Sequence, residues 1–273
     1  MARFGAMREE AKLLSTPIRA MVVGVASPVD FENGVPVRPP LMPGWDGFPI
    51  AQWLSQRMNV TALVDNDVNL MALGEARARP ASEAPLLFIK VASGIGCGII
   101  TKGGELHRGA DGDAGDIGHI RVEKGANVTC ACGNAGCIEA IASVNAITRQ
   151  VQLIKGEISD TAPDLAALVS AGDTVAIRLV REASAHIGEV VATLVNMFNP
   201  SCIVLGGKLA HMSDDLLSGV RAAVYRRAPP LATRRLTIEN SLVGREAGIW
   251  GGIALGVDNT LSTQGLQRLQ EGG

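Results

Sequence analysis

The chain has 273 residues, of which 47% are hydrophobic and 19% charged, with a net charge of −2. That composition excludes a disordered chain and is enough for one large domain or two ordinary ones. It offers no broad basic face for nucleic acid, no apolar run of the roughly 18 residues that span a bilayer and no signal peptide, so the cytoplasm is the expected compartment.

In chain order, Met7 to Leu14 reads as a short helix ended by Ser15-Thr16-Pro17. Ala20 to Val25 reads as a buried strand, followed by a Pro/Gly-rich loop from Ser27 to Pro49. The pattern predicts a helix over Ile50 to Met58 with Ile50, Trp53 and Leu54 on one side, a strand over Thr61 to Val64, and a helix over Asp67 to Arg79. After a break at Pro80 to Pro85, strands are expected at Leu86 to Val91 and Gly98 to Thr101, with a hairpin turn at Gly103-Gly104. The stretch from Gly109 to Gly136 has little periodicity.

Asp173 to Phe198 is then a long helix with Ile177, Val180, Ile187, Val191, Leu194 and Phe198 on one face, stopped by Asn199-Pro200. A strand at Ile203 to Leu205 and helices at Ser213 to Tyr225 and Glu246 to Val257 follow. Strands alternating with helices make the class α/β. Arg226, Arg227, Arg234 and Arg235 cluster near a helix end and read as a solvated face.

His119 with Cys130, Cys132 and Cys137 is the sharpest chemical signal. Three thiols and one imidazole make a tetrahedral zinc site, and four protein ligands leave no open position, so the ion is structural. Cys97 and Cys202 lie in strand-like apolar runs, and His107, His186 and His211 read as surface or packing residues.

Ser93, Gly94 and Gly96 follow a strand and suit a phosphate cradle, although a plain Gly-rich hairpin explains them equally well; Gly206-Gly207 has the same status. Asp65-Asn66-Asp67 stands where a strand hands over to a helix, and three polar residues exceed what one N-cap needs. A carboxylate at such a helix start is held ionised and can accept a proton from a hydroxyl. Asp116 and Glu139 bracket the cysteine loop, where a metal would fix them as rigid acceptors for several hydroxyls; Asp111 and Asp113 read as turn residues.

Together these segments resemble the ROK family of repressors and sugar kinases. The resemblance spans roughly Ala20 to Leu261 and is densest from Gly94 to Glu139: Gly109-Ala110, Gly115-Asp116-Ile117-Gly118-His119, and Cys-x-Cys-Gly-x-x-Gly-Cys-x-Glu at Cys130 to Glu139. Val64 to Asn69 resembles the family's Asn-Asp segment, and Pro43-Gly44-Trp45 the loop before it. The style is closest to the sugar-responsive regulators.

The resemblance implies an actin-like (ribonuclease H-like) ATPase fold with two lobes and sugar in the cleft. It implies Asp67 as general base, and Asn66, Asp67, Asp116, His119 and Glu139 as sugar contacts. His119 would give one ring nitrogen to zinc and the other to the ligand. Ser93, Gly94 and Gly96 match a phosphate loop, and Gly206 and Gly207 an adenosine turn.

Two departures stand out. Asp116 occupies a position where the family's kinases carry Glu, and no Asp-x-Gly-Gly-Thr phosphate loop or helix-turn-helix precedes Ala20, where only residues 1–19 stand. The expectation is an incomplete small lobe at 1–84, a large lobe at 85–245, a helix returning to the small lobe at 246–262 and a tail at 263–273. The expected function is the sugar-binding effector domain of a regulator, homo-oligomeric, touching DNA only through a module outside this chain. The alternative is an ATP- and Mg2+-dependent hexose kinase. An unpaired edge at Met21, Val22, Val23 and Val25 is expected to favour self-association.

Overall fold

The computed structural model describes residues 6, 9–10, 17–39, 42–156 and 162–271. The helix expected at Met7 to Leu14 falls mostly outside them. In the first lobe, β1 (Ala20–Val25) runs parallel to β4 (Thr61–Asn66), with β2 (Val29–Asp30), β3 (Val35–Pro36) and α1 (Ile50–Met58) between them. Val25, Val29, Ile50 and Val64 form a small core there. The expected Ser27 to Pro49 loop therefore contains a hairpin, too short to show an alternating pattern. Trp53 turns outward instead of joining Ile50, with Arg57 above its ring at 4.6 Å. The handover to α2 (Asp67–Arg77) follows directly on β4, which carries Asp65 and Asn66 as strand residues.

In the second lobe, β5 (Leu86–Val91) pairs antiparallel with β6 (Ile95–Ile100). Gly96 and Gly98 are thus strand residues, and the strand starts earlier than the glycine pattern suggests. Beyond it come α3 (Ile138–Ala142), α4 (Val144–Lys155) and α5 (Leu165–Ser170), then α6 (Thr174–Phe198) and β7 (Cys202–Gly206). The chain closes this lobe with α7 (Lys208–Met212), α8 (Asp215–Arg227), α9 (Pro230–Thr233) and β8 (Thr237–Asn240). Strand order is β6-β5-β7-β8, with β5, β7 and β8 parallel.

Period-2 alternation divides that sheet between two cores. Leu87, Ile89, Val91, Ile203 and Leu205 face the main core with α3 to α8, while Leu86, Phe88, Cys202 and Val204 face α2 through Val68 and Ala72. Each large side chain so buried contributes roughly 1.5–3 kcal/mol. The long helix α6 begins on Asp173, whose carboxylate accepts the Ala176 N–H and pairs with Lys155, and ends at Asn199 in a left-handed conformation before Pro200. Phe198, in its last turn, is exposed where the helix leaves the core.

Finally α10 (Ala247–Leu261) packs against α2 and β1, followed by α11 (Thr263–Glu271). A Cβ on Gly251 would lie 1.7 Å from the Leu70 carbonyl oxygen, so only glycine permits this crossing. Among the described residues β1 pairs only with β4, and α10 leaves Ile249, Ile253, Val257 and Leu261 exposed along one stripe, with Trp250 beside it. No helix among the described residues is long and apolar enough to cross a membrane.

Candidate functional site

The two lobes meet at a recess bordered by the end of β4, the start of α2, the β5–β6 turn, residues 112–119 and the first turn of α3. Asn66, Asp67, Asp116, His119 and Glu139 all border it, together with Ser93, Gly94 and Gly96. Gly206 and Gly207 do not: Gly206 stands in register with Lys90, and Gly207, at φ 87°, sits against the Val91 carbonyl.

Of the Asp65-Asn66-Asp67 run, Asp65 is a buried strut. Its Oδ1 accepts the backbone N–H of Asn66 at 2.8 Å and Asn69 Nδ2 at 2.9 Å, and its Oδ2 accepts both Arg108 Nε and Nη2, at 3.0 and 2.7 Å. Asn66 is the N-cap: its Oδ1 accepts the Val68 N–H at 2.9 Å, and its Nδ2 donates to the Ser27 carbonyl at 2.8 Å. One Nδ2 hydrogen is left for a ligand. Asp67 is half-buried and ion-paired with Lys90, which reaches it from β5. Neither Lys90 nor Arg108 stands out in the sequence, because a single cation on a strand or loop has no motif; their partners lie 23 and 43 residues away.

Glu139 is held by the N–H of Ile95, which donates to its Oε2 at 2.9 Å. A Cβ on Gly94 would lie 2.7 Å from that same oxygen, so the glycine admits the carboxylate to the turn. His119 Nε2 lies 3.8 Å from Asp116 Oδ2. Burial pushes the Asp116 carboxyl above its ordinary range; His119 opposes this, while Asp113 and Glu139 add to it.

The opposite nitrogen of His119, Nδ1, lies 3.6 Å from Cys130 Sγ, and Cys132 Sγ lies 3.8 Å from Cys137 Sγ. These four ligand atoms lie within 4.8 Å of one another and can hold a metal ion. Cys130 and Cys132 sit on the loop, while Cys137 caps α3, so the cluster ties the loop to the helix that presents Glu139. Burial pushes the Cys137 thiol up to about 12. Cys97 is likewise raised to about 12 by burial in β6, as befits a core thiol.

Residues 6–258 match the model of the ROK family. The chain belongs to the ROK family. It is 32% identical over 223 residues to a glucokinase of Halalkalibacterium halodurans, covering 77% of this chain and 67% of the relative. It is 28% identical over 253 residues to the DNA-binding transcriptional repressor Mlc of Escherichia coli, covering 89% of this chain and 62% of that protein. The chain thus spans about two thirds or less of the length of these curated relatives. A ROK family glucokinase from Streptomyces griseus, solved with glucose and AMPPNP, superposes with a TM-score of 0.75 at 26% identity, covering 92% of this chain and 87% of that one. The fold is the actin-like ATPase fold of ROK sugar kinases.

Proposed function

We propose that the recess binds a sugar and that the chain is the effector domain of a ROK-type transcriptional regulator. The observation that carries this is the convergence of Asn66, Asp67, Asp116, His119 and Glu139 on one recess, most of them held by second partners. Preorganised acceptors of this kind suit a ligand with several hydroxyl donors. Relatives named as repressors and as glucokinases both exist, and two features favour the regulator. The Lys90 ammonium competes with a substrate hydroxyl for Asp67, the residue that would serve as base. Asp116, one methylene shorter than the family kinases' Glu, sets its carboxylate back by about 1 Å, enough to weaken alignment.

Sugar binding would bias the angle between the lobes, and a DNA-binding module outside this chain would report it. In the kinase reading, Ser93, Gly94 and Gly96 would meet the phosphates of ATP with Mg2+, and Gly206 and Gly207 its adenosine. A coupled ATP assay across a hexose and pentose panel should find turnover far below the usual enzyme median of roughly 10 per second. Turnover near that value would establish the kinase instead. Asp67→Asn should leave sugar affinity within about threefold, since the amide keeps an oxygen acceptor; calorimetry showing a far larger loss would make Asp67 a binding residue first.

The metal that best fits the cluster is zinc. Bonds of about 2.3 Å to sulfur and 2.0–2.1 Å to nitrogen give tetrahedral edges of about 3.5–3.8 Å. The His119 Nδ1–Cys130 Sγ and Cys132 Sγ–Cys137 Sγ separations are 3.6 and 3.8 Å. Zinc held by His119, Cys130, Cys132 and Cys137 would supply rigidity and no open coordination position.

The exposed stripe on α10, beside the edge of β1 that has no strand partner among the described residues, suits a second copy of the chain in a cytoplasmic homo-oligomer. Light scattering should show association that Ile253→Lys weakens; a monomer at every concentration would refute it.

A further inference from the structure

A second recess adjoins the sugar site, and most of its lining has no role in the reading above. Its volume is about 790 Å3, against about 100 Å3 for the first. Asp113, Asp116 and His119 border both, whereas Asp67, Lys90 and Glu139 border only the first. A ring held against these shared residues in the first recess therefore lies next to the second.

The far wall is the β2–β3 hairpin, and its tip is built rather than loose. Asp30 accepts the backbone N–H of Asn33 at 3.1 Å and its Nδ2 at 2.6 Å, and the Gly34 N–H donates to the Asp30 carbonyl at 2.8 Å. That turn presents Phe31. Arg108 stacks on the Phe31 ring at 3.7 Å from its centroid while donating twice to Asp65. One guanidinium thus couples the wall of the second recess to the strut beneath Asn66.

Charge narrows the occupant. Asp30, Glu32, Asp111, Asp113 and Asp116 line the second recess against Arg38 and Arg108, and Arg108 is already engaged by Asp65. An anionic substituent such as a phosphate or uronate is repelled there. An aromatic ring among carboxylate acceptors suits a group with an apolar face and hydroxyl donors at its rim. The geometry points to a subsite for the second ring of a neutral, glycosidically linked sugar, an inference that rests on the sugar-site reading above.

Calorimetry with matched monosaccharides and α- and β-linked neutral disaccharides tests it, using wild type, Glu32→Ala and Val37→Trp, both at positions that line the second recess and not the first. Val37 is 45% exposed and lines only the second recess, so tryptophan there fills space without touching the first. At least one disaccharide should bind about tenfold or more tighter than its component monosaccharides, and both variants should abolish that gain while leaving monosaccharide affinity within about twofold. Retained monosaccharide binding shows that each variant is folded. Monosaccharides binding as tightly as every disaccharide, or variants that weaken both alike, would overturn the second subsite alone. No binding of either class would overturn the sugar site and the subsite together.

Discussion

Replacing Cys132 with Ser should lower the melting temperature by on the order of 10 °C and weaken ligand binding by about 10- to 100-fold. A metal site whose ligands are assembled only by the fold contributes its binding energy to folding. Losing one of four ligands from a chain of this size costs several kcal/mol on that basis, at roughly 2–4 °C per kcal/mol. The loss is transmitted to the recess because Cys137 caps α3 two residues before Glu139, and His119 faces both the cysteines and Asp116. Elemental analysis of protein purified without chelator should find one zinc per chain. A stoichiometry near zero, with Cys132→Ser melting like wild type, would show that the thiols are simply reduced.

Arg79→Ala should destabilise the protein by about 3–5 kcal/mol, read as a lower urea midpoint. The Arg79 side chain is 2% exposed and that of Glu75 0%. The guanidinium donates to Glu75 at 2.7 Å and to Glu83 and Glu239 at 2.9 Å. Burial works against its charge, and the bonds to Glu83, Glu75 and Glu239 more than offset this, raising its pKa. Glu75 in turn accepts Ser241 Oγ at 2.6 Å and the Leu242 N–H at 2.8 Å, pinning the segment that leads from β8 towards α10. Without Arg79 the Glu75 carboxylate is left buried with only neutral partners. Glu83, Cys202 and Glu239 also have metal-ligand spacing, but the guanidinium already supplies the positive charge among them. Arg79→Lys should recover only part of the loss, since one ammonium cannot reproduce the planar fork. An unchanged midpoint for Arg79→Ala would mean that the network has no net role in stability.

Much of this architecture is legible in the sequence where a period or a capping residue announces it. β1, β5 and α1 have the bounds that their hydrophobic runs suggest, and α6 (Thr174–Phe198) lies between Asp173 and Asn199 as its cap residues require. Short or glycine-rich elements carry no such period, which hides the β2–β3 hairpin and the true start of β6. The site divides the same way. The cysteine spacing and the Asn66-Asp67 pair are local patterns; the fold brings Asn66 and Asp67 to one recess with Asp116 and Glu139, and the cysteine cluster meets that recess through His119. The electrostatic partners that set their chemistry come from elsewhere: Lys90 from the sheet, Arg108 from a loop and the Ile95 N–H from the start of β6. Long-range pairing of that kind follows from topology, which a single sequence does not display.

The most direct test of the sugar site is titration calorimetry of the wild-type chain and Glu139→Ala against a panel of neutral sugars. One sugar should bind with 1:1 stoichiometry in the submillimolar range. Glu139→Ala, which removes an acceptor held in place by the Ile95 N–H, should weaken it by at least about tenfold, as expected when a charged hydrogen-bond partner is lost. No heat from any sugar at millimolar concentration, or equal affinity in wild type and variant, would contradict the account.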